Sequence, residues 1–410
     1  MWPWIKRWRD WAMHELWPLF RLGPQPQALH YCYEKAGLTI HDQPIPWNAE
    51  AVLIDALVVL PASAPRRKTD FALRLPTQEV VPAEILRRQE ADDRQRVSFR
   101  LPPPPAATTA ELLWRNRILG QLTLPVLGRE EFLDNLQLQM PTLFVRLGDE
   151  SVACQTFVST QCKGLLASSV VTSPTSLLPL LDLEMQVEFR CERTGASYSV
   201  PARLSSTQLA GRQALVSVVP RRFPRRIGTW LVTWLVGDRV LASHRVRAIS
   251  SRHFLRSLRV ADTRFVVQSD KGSVSVARQL PPLETTARVG PCFLVCSKEL
   301  GMAGLCRLLV RAQVPGAVQP PILQEQEYLI TDGPTPVAPG TADAADLRQV
   351  SAFELCMKGQ VLHVLSLCPA PAASFTSEGG FKTAQDYSWS AAAEEELTER
   401  LNRLFEGRGN

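Results

Sequence analysis

The sequence predicts an all-β protein: three tandem β-sandwich domains with a short amphipathic helix at each end. Three observations carry this. One stretch occurs twice, since residues 111–152 and 233–274 superpose without a gap at an offset of 122 residues. The copies agree at Leu113/Leu235, Arg117/Arg239, Leu119/Leu241, Phe132/Phe254, Leu133/Leu255, Leu136/Leu258, Val145/Val267, Ser151/Ser273 and Val152/Val274. A unit of that length is domain-sized, so it marks duplicated domains and not a solenoid of small repeats. Next, short apolar runs are broken by turn residues, and 32 of the 410 residues are proline. That share exceeds the usual ~5% and favours strands and turns over long helices. Last, Leu183 to Cys191 alternates apolar and polar residues without a break, the period of a strand with one face in a core.

Residues 1–27 form the first element, a Trp-rich helix and a linker. Five of the ten tryptophans fall within 1–22. Trp4, Ile5, Trp8, Trp11 and Leu16 follow helical spacing on one side, while Lys6, Arg7 and Arg9 fall mostly on the other. Charges interrupt the apolar residues and no small-residue cleavage site follows, so the segment does not have the form of a signal peptide. Indole sits well at a headgroup boundary, so this composition suits attachment to a membrane surface. Docking on a partner, or on the chain's own first domain, would use the same face. Gly23-Pro24-Gln25-Pro26 then ends the element.

The first sandwich is assigned to 28–128. Strands are expected at His30–Tyr33, Gly37–Ile40, Ala51–Leu60 and Val97–Leu101, with a charged connection over 84–96 that carries one or two helical turns. The second, 129–250, holds the alternating strand and a hairpin, in which Thr229–Val236 returns through Gly237-Asp238 as Arg239–Ile249. The corresponding turn in the first copy is Arg115-Asn116. The third, 251–372, is degenerate. It places Lys358-Gly359 on the same turn, and its Pro- and Gly-rich residues 312–346 are expected to include long loops. The tail, 373–410, contains a helix from Ser390 to about Glu406, with an apolar stripe at Leu397, Leu401, Leu404 and Phe405. Glu396/Arg400 and Glu399/Arg403 are favourable i,i+4 pairs. Short alternating strands in repeats of this size resemble immunoglobulin-like or fibronectin-like sandwiches, although the Cys…Trp…Cys arrangement of true immunoglobulin domains is absent.

Composition bounds the function. A net charge of +6 over 410 residues is modest, and only 8 of the 46 basic residues are lysine. It does not by itself point to nucleic acid. The nine cysteines are odd in number and include no CxxC pair, which fits a reducing, cytoplasmic compartment, peripheral at the inner face of a membrane. No apolar run approaches the ~18 residues of a spanning helix. No Walker loop, GxSxG, HExxH, GxGxxG or EF-hand pattern occurs, so no catalytic residue, metal or cofactor is expected. His244 and His253 lie in the duplicated stretch and are expected on strand surfaces. Asp182 and Glu184 are expected in solvent.

The leading expectation is therefore a non-enzymatic scaffold that binds protein partners and is attached through 1–22. An alternative is binding of a polyanion, either nucleic acid or anionic lipid, through Arg221, Arg222, Phe223, Arg225 and Arg226, because arginines around an aromatic hold phosphates and stack on bases. A further alternative is an enzyme whose site lies between domains without a linear motif. The most faithfully duplicated stretch runs from the closing hairpin of one domain into the first strand of the next. Phe132, Leu136, Phe254 and Leu258 are thus the candidates for packing a stiff interdomain joint.

Overall fold

The computed structural model describes residues 24–60, 67–88, 94–221, 226–269, 273–280, 288–367 and 391–406. Nearly all of its regular structure is β, arranged as three successive sandwiches. In the first, a five-stranded sheet of Leu38–His41, Gln25–Lys35, Ala51–Val59, Arg94–Leu101 and Ile85–Arg88 opposes a four-stranded sheet of Arg117–Leu124, Thr108–Trp114, Phe71–Arg74 and Val80–Pro82. Ala51–Val59 shows how residue pattern makes the layer. Val52, Ile54, Ala56 and Val58 point into a core with Tyr33, Phe71 and Phe99, while Leu53, Asp55 and Leu57 alternate to the other face.

The second sandwich repeats the plan. Glu150–Ala153, Gln137–Leu147, Cys162–Thr172 and Gln213–Val218 form one sheet. Facing it are Ser197–Pro201, Met185–Cys191, Gly228–Val236 and Arg239–Ile249. Met185, Val187 and Phe189 enter its core beside Phe157 and Trp234. The third has Val274–Ala277, Leu258–Gln268, Arg288–Ser297, Thr335–Val337 and Ala342–Asp343 on one side. Ile322–Ile330, Met302–Gln313, Ala352–Met357 and Gln360–Ser366 lie on the other. The closing hairpins turn with positive φ at Arg115 and Asn116 (48° and 64°), Gly237 (57°), and Lys358 and Gly359 (48° and 79°). A two-residue turn of this hand matches the twist of the flanking strands.

The strand Arg288–Ser297 is buried on both faces. Val289, Phe293 and Val295 fill the third core. Cys292 and Leu294 point the other way and are covered by Leu397 and Leu401 of the helix Ala391–Glu406. Arg400–Glu396 (2.7 Å) and Arg403–Glu399 (3.3 Å) pair on that helix's exposed side.

Two expectations are corrected and one is refined. The described residues of 84–96, which leave out 89–93, are not helical: Ile85–Arg88 pairs antiparallel with Arg94–Leu101, and Arg87 and Arg96 are exposed on an ordinary strand pair. Gln25-Pro26 is not linker but the start of the strand Gln25–Lys35, paired with Val59 and Val58 on one side and beyond the reach of Leu38–His41 on the other, a position that tolerates proline. The 312–346 region holds more strand than its composition suggests: Ile322–Ile330 pairs along Met302–Gln313, and most of the Pro and Gly residues lie between strands. Among the described residues, no helix is long and apolar enough to cross a membrane.

Candidate functional site

The joint between the second and third sandwiches is built from backbone. Thr156–Val158 runs parallel to two neighbours at once, Arg247–Ile249 of the second unit and Met302–Ala303 of the third. This joins the two half-sheets into one nine-stranded sheet. On one side, Arg247 N–H donates to Gln155 O (2.7 Å) and Ser159 N–H to Ile249 O (3.0 Å). On the other, the amides of Gln155 and Thr156 donate to Gly301 O (2.8 and 2.9 Å). Beyond the strand's end, Gln161 continues the ladder with its side chain. Its amide nitrogen donates to Leu305 O (2.7 Å), and its oxygen accepts from Leu305 N–H (2.8 Å).

The Phe-Leu-x-x-Leu junction is a short helix, which the sequence pattern did not reveal. Ser250 caps Ser251–Ser257 by accepting from His253 N–H (3.2 Å). Phe254 on this helix is fully buried, and its ring lies over Gly304, where a Cβ would stand 2.8–2.9 Å from three ring atoms. Leu258 opens the next strand and is buried in the same third core. Val158 of the second unit contributes to that core, and Ala303 of the third contributes to the second.

The joint between the first and second sandwiches has the same helix, Arg129–Asp134, but different surroundings. Phe132 is buried with its ring 5.6 Å from that of Trp47, and Leu136 is buried alongside it in the second core. Ile45–Pro46 pairs parallel with Val126–Leu127, as a separate two-stranded piece. Contact with the body of the second unit then passes through side chains. Lys35 Nζ meets Asp182 at 2.5 Å, and Asn48 donates to Asp182 (2.9 Å) and Pro179 O (3.2 Å). Gln43 accepts from Ser176 N–H (2.6 Å). Asp182 is thus not simply a solvated carboxylate: the 3-10 turn Leu178–Asp182 carries it to the first unit.

The described part of the arginine loop borders a cleft of about 660 Å³ at the open side of the second sandwich. Tyr198, Val200, Val218 and Val219 line it, with Arg203 and Arg221 among its charged residues. The Tyr198 ring stacks on Phe189 (5.1 Å) and stands edge-on to Trp230 (6.3 Å). Its hydroxyl has no hydrogen-bond partner among the described residues, and burial pushes its pKa up. Arg226 lies at the far end of the loop, where its carbonyl accepts from Trp230 Nε1 (3.2 Å). Arg222, Phe223 and Arg225 lie outside the described residues, as do Trp4, Ile5, Lys6, Arg7, Trp8, Arg9, Trp11 and Leu16.

The titratable groups are mostly structural. His253 Nε2 lies 2.7 Å from Glu299, which also takes Arg247 at 3.5 Å, and the trio is half-exposed at the second joint. His244 is not on the strand surface. Both its ring nitrogens are buried without a partner among the described residues, and desolvation lowers its pKa. The eight described cysteines are buried and form no disulfide with one another. Burial pushes the Cys154 and Cys292 thiols up to about 12, far from the thiolate range of reactive cysteines. Among the described residues, no group of His, Cys, Asp or Glu could hold a metal ion.

No protein-family model and no curated protein matches the chain. Similar solved structures include domains 4–9 of the surface layer protein SbsC, at 10% identity over 83% of this chain and 47% of that one, with a TM-score of 0.29. Invasin, described as a bacterial integrin-binding protein, is 8% identical over 83% of this chain and 60% of that one, TM-score 0.24. FdeC, described as an Escherichia coli adhesin, is 9% identical over 85% and 96%, TM-score 0.22. The chain therefore spans 47% and 60% of the first two proteins' solved chains. Superpositions this loose carry no functional argument, and the sandwich assignment rests on the strand pairings above.

Proposed function

We propose that this chain is a non-enzymatic, cytoplasmic scaffold. In this reading its sandwiches present protein-binding surfaces, and residues 1–22 attach it to a membrane surface or a partner. The observation that supports it most is the shared nine-stranded sheet. Two sandwiches locked through Thr156–Val158 hold surfaces on different domains at a fixed separation, which suits a protein that positions its partners. Segment 1–22 adds a basic, Trp-rich face of the composition that binds interfaces. Deleting 1–22 should release the chain from the membrane fraction or from its complex, and unchanged fractionation would sink the attachment.

Arg203 and Arg221 support a second reading, in which the same region binds a polyanion. Phosphate contacts make affinity fall steeply with salt. A gel shift that is absent, or insensitive between 50 and 200 mM salt, would reject it.

A further inference from the structure

We propose that the cleft of the second sandwich captures an acidic protein segment in extended conformation, as a strand added to the edge Ser197–Pro201. This rests on the scaffold reading and gives it a partner class.

The first support is an unused hydrogen-bonding edge. Ser197–Pro201 pairs with Met185–Cys191 alone and ends the nine-stranded sheet. Ala202 N–H donates to Met185 O (2.8 Å), and Cys191 N–H donates to Ala196 O (2.8 Å). In an antiparallel ladder these groups alternate sides, so Tyr198 and Val200 also face the partner strand. Ser197 and Ser199 therefore turn their N–H and C=O groups outward, and no described residue takes them. Sheet edges are normally blunted or covered.

The edge across the cleft is treated differently. There Ser173 N–H donates to Arg212 O (2.8 Å), so Leu215 and Ser217 face outward by the same alternation. The Gln208 side chain donates to Leu215 O and closes that edge at its middle. An incoming strand is thus directed to Ser197–Pro201. Five residues at ~3.4 Å each give about 17 Å of pairing.

Side chains specify the occupant. Tyr198, Val200 and Val218 form an apolar floor, suited to every second residue of an added strand. Arg203 and Arg221 are exposed at the same cleft and make no ion pair among the described residues. Carboxylates on the incoming segment would supply what they lack. A nucleic acid fits less well. Its bases need an open aromatic face, and the Tyr198 ring is already stacked on Phe189. A nucleic acid also offers no backbone ladder to Ser197 and Ser199.

The test uses the full chain and a fluorescein-labelled nonapeptide of alternating Glu and Val, followed by fluorescence anisotropy. Saturable binding is expected, with Kd below about 1 mM. N-methylation of alternate peptide amides removes ladder bonds without touching the protein, and should weaken binding at least ~10-fold. Arg203→Glu with Arg221→Glu should weaken it by a similar factor while leaving the unfolding midpoint in place. Should the double variant unfold, the N-methylated peptide still decides the question. Equal affinity for the N-methylated peptide, or no saturable binding, overturns the proposal. So does displacement of the peptide by a ten-residue oligothymidylate of higher affinity, which would mark a polyanion site. Removing 1–22 should leave the anisotropy unchanged, so failure of the attachment reading and failure of this one are separable.

Discussion

Gly304→Ala places one methyl group in the second joint, and its effect follows from the geometry. The new Cβ would lie 2.8 Å from Cζ of Phe254 and 2.9 Å from both Cε atoms. Carbon atoms in contact prefer ~3.5–4.0 Å, so the ring must withdraw by nearly 1 Å or its helix must lift. Neither is free, because the ring is fully buried among Val158, Ile249 and Met302. Gly304 is not in the left-handed region, so backbone strain adds nothing. Overpacking of this kind costs about 1–3 kcal/mol. The strain falls on the strand that carries the ladder from Thr156 into the third sandwich, so the joint should open locally before either core melts. Hydrogen exchange followed by mass spectrometry on the full chain should show amides in 155–161 and 301–305 exchanging about 5–150-fold faster, with the first sandwich unaffected. In a Phe254→Leu background the ring is gone, and the added methyl should cost less by about 1–2 kcal/mol of coupling. Equal penalties in both backgrounds, or unchanged exchange at the joint, would refute the packing argument.

Desolvation lowers the pKa of His244. Below its unfolded pKa of ~6.5 the unfolded chain binds more protons, so stability is lost as pH falls from there toward the folded value, by at most ~1.4 kcal/mol per pH unit. Urea midpoints measured from pH 7.5 to 5.0 should fall, and His244→Leu should flatten the slope. Asp182→Ala leaves the nearly buried Lys35 without its carboxylate. Since Asp182 itself is half-exposed, the cost should be about 1–2 kcal/mol, with the first sandwich gaining freedom by small-angle scattering while the second and third keep their mutual orientation. Leu401→Asp puts a charge at a fully buried position against Cys292 and Leu294. The helix should lift, and Cys292 should react with iodoacetamide at pH 8 where the wild-type thiol does not; equal labelling by mass spectrometry would show that the helix is not the cover.

The fold class was legible because its signals are local. The alternation of Met185–Cys191 and the two-residue turns at Arg115-Asn116 and Gly237-Asp238 need only neighbours in sequence to be recognised. What was hidden depends on distant partners. Arg288–Ser297 has no period-2 pattern, because a helix a hundred residues later covers its outer face. Ile85–Arg88 and Ile322–Ile330 are edge strands, whose charged residues look like those of loops. At the joints, Phe132, Leu136, Phe254 and Leu258 were visible as repeated apolar positions. The bridging strand was not, since Thr156–Val158 is three residues long and pairs only with strands 91 and 146 residues away (Thr156 with Arg247 and with Met302). The unused edge at Ser197–Pro201 left no signal either. A free edge and a paired one have the same residue pattern, and only the full sheet order distinguishes them.

The two joints began as one sequence element, yet one is made of backbone and the other of side chains. The cause lies outside the duplicated stretch, in the link between the second and third long strands of the following sandwich. In the third unit Arg288–Ser297 is followed after four residues, 298–301, by Met302–Gln313. Gly301 takes φ +66° to make that tight return, and Met302 emerges beside Thr156. The second unit has twelve residues, 173–184, between Cys162–Thr172 and Met185–Cys191. That link folds into the 3-10 turn Leu178–Asp182 and stands where a ladder would otherwise form. Its contacts to the first unit then run to the side chains of Lys35, Gln43 and Asn48, through the Asp182 carboxylate, the Ser176 N–H and the Pro179 carbonyl. A parallel ladder fixes both spacing and twist, whereas a half-exposed ion pair and a few amide contacts leave several arrangements within a kilocalorie or so of one another. The length of one loop therefore sets the stiffness of each joint. It joins the second and third sandwiches through one continuous sheet, and under the attachment proposed above the first sandwich would be the unit that adjusts.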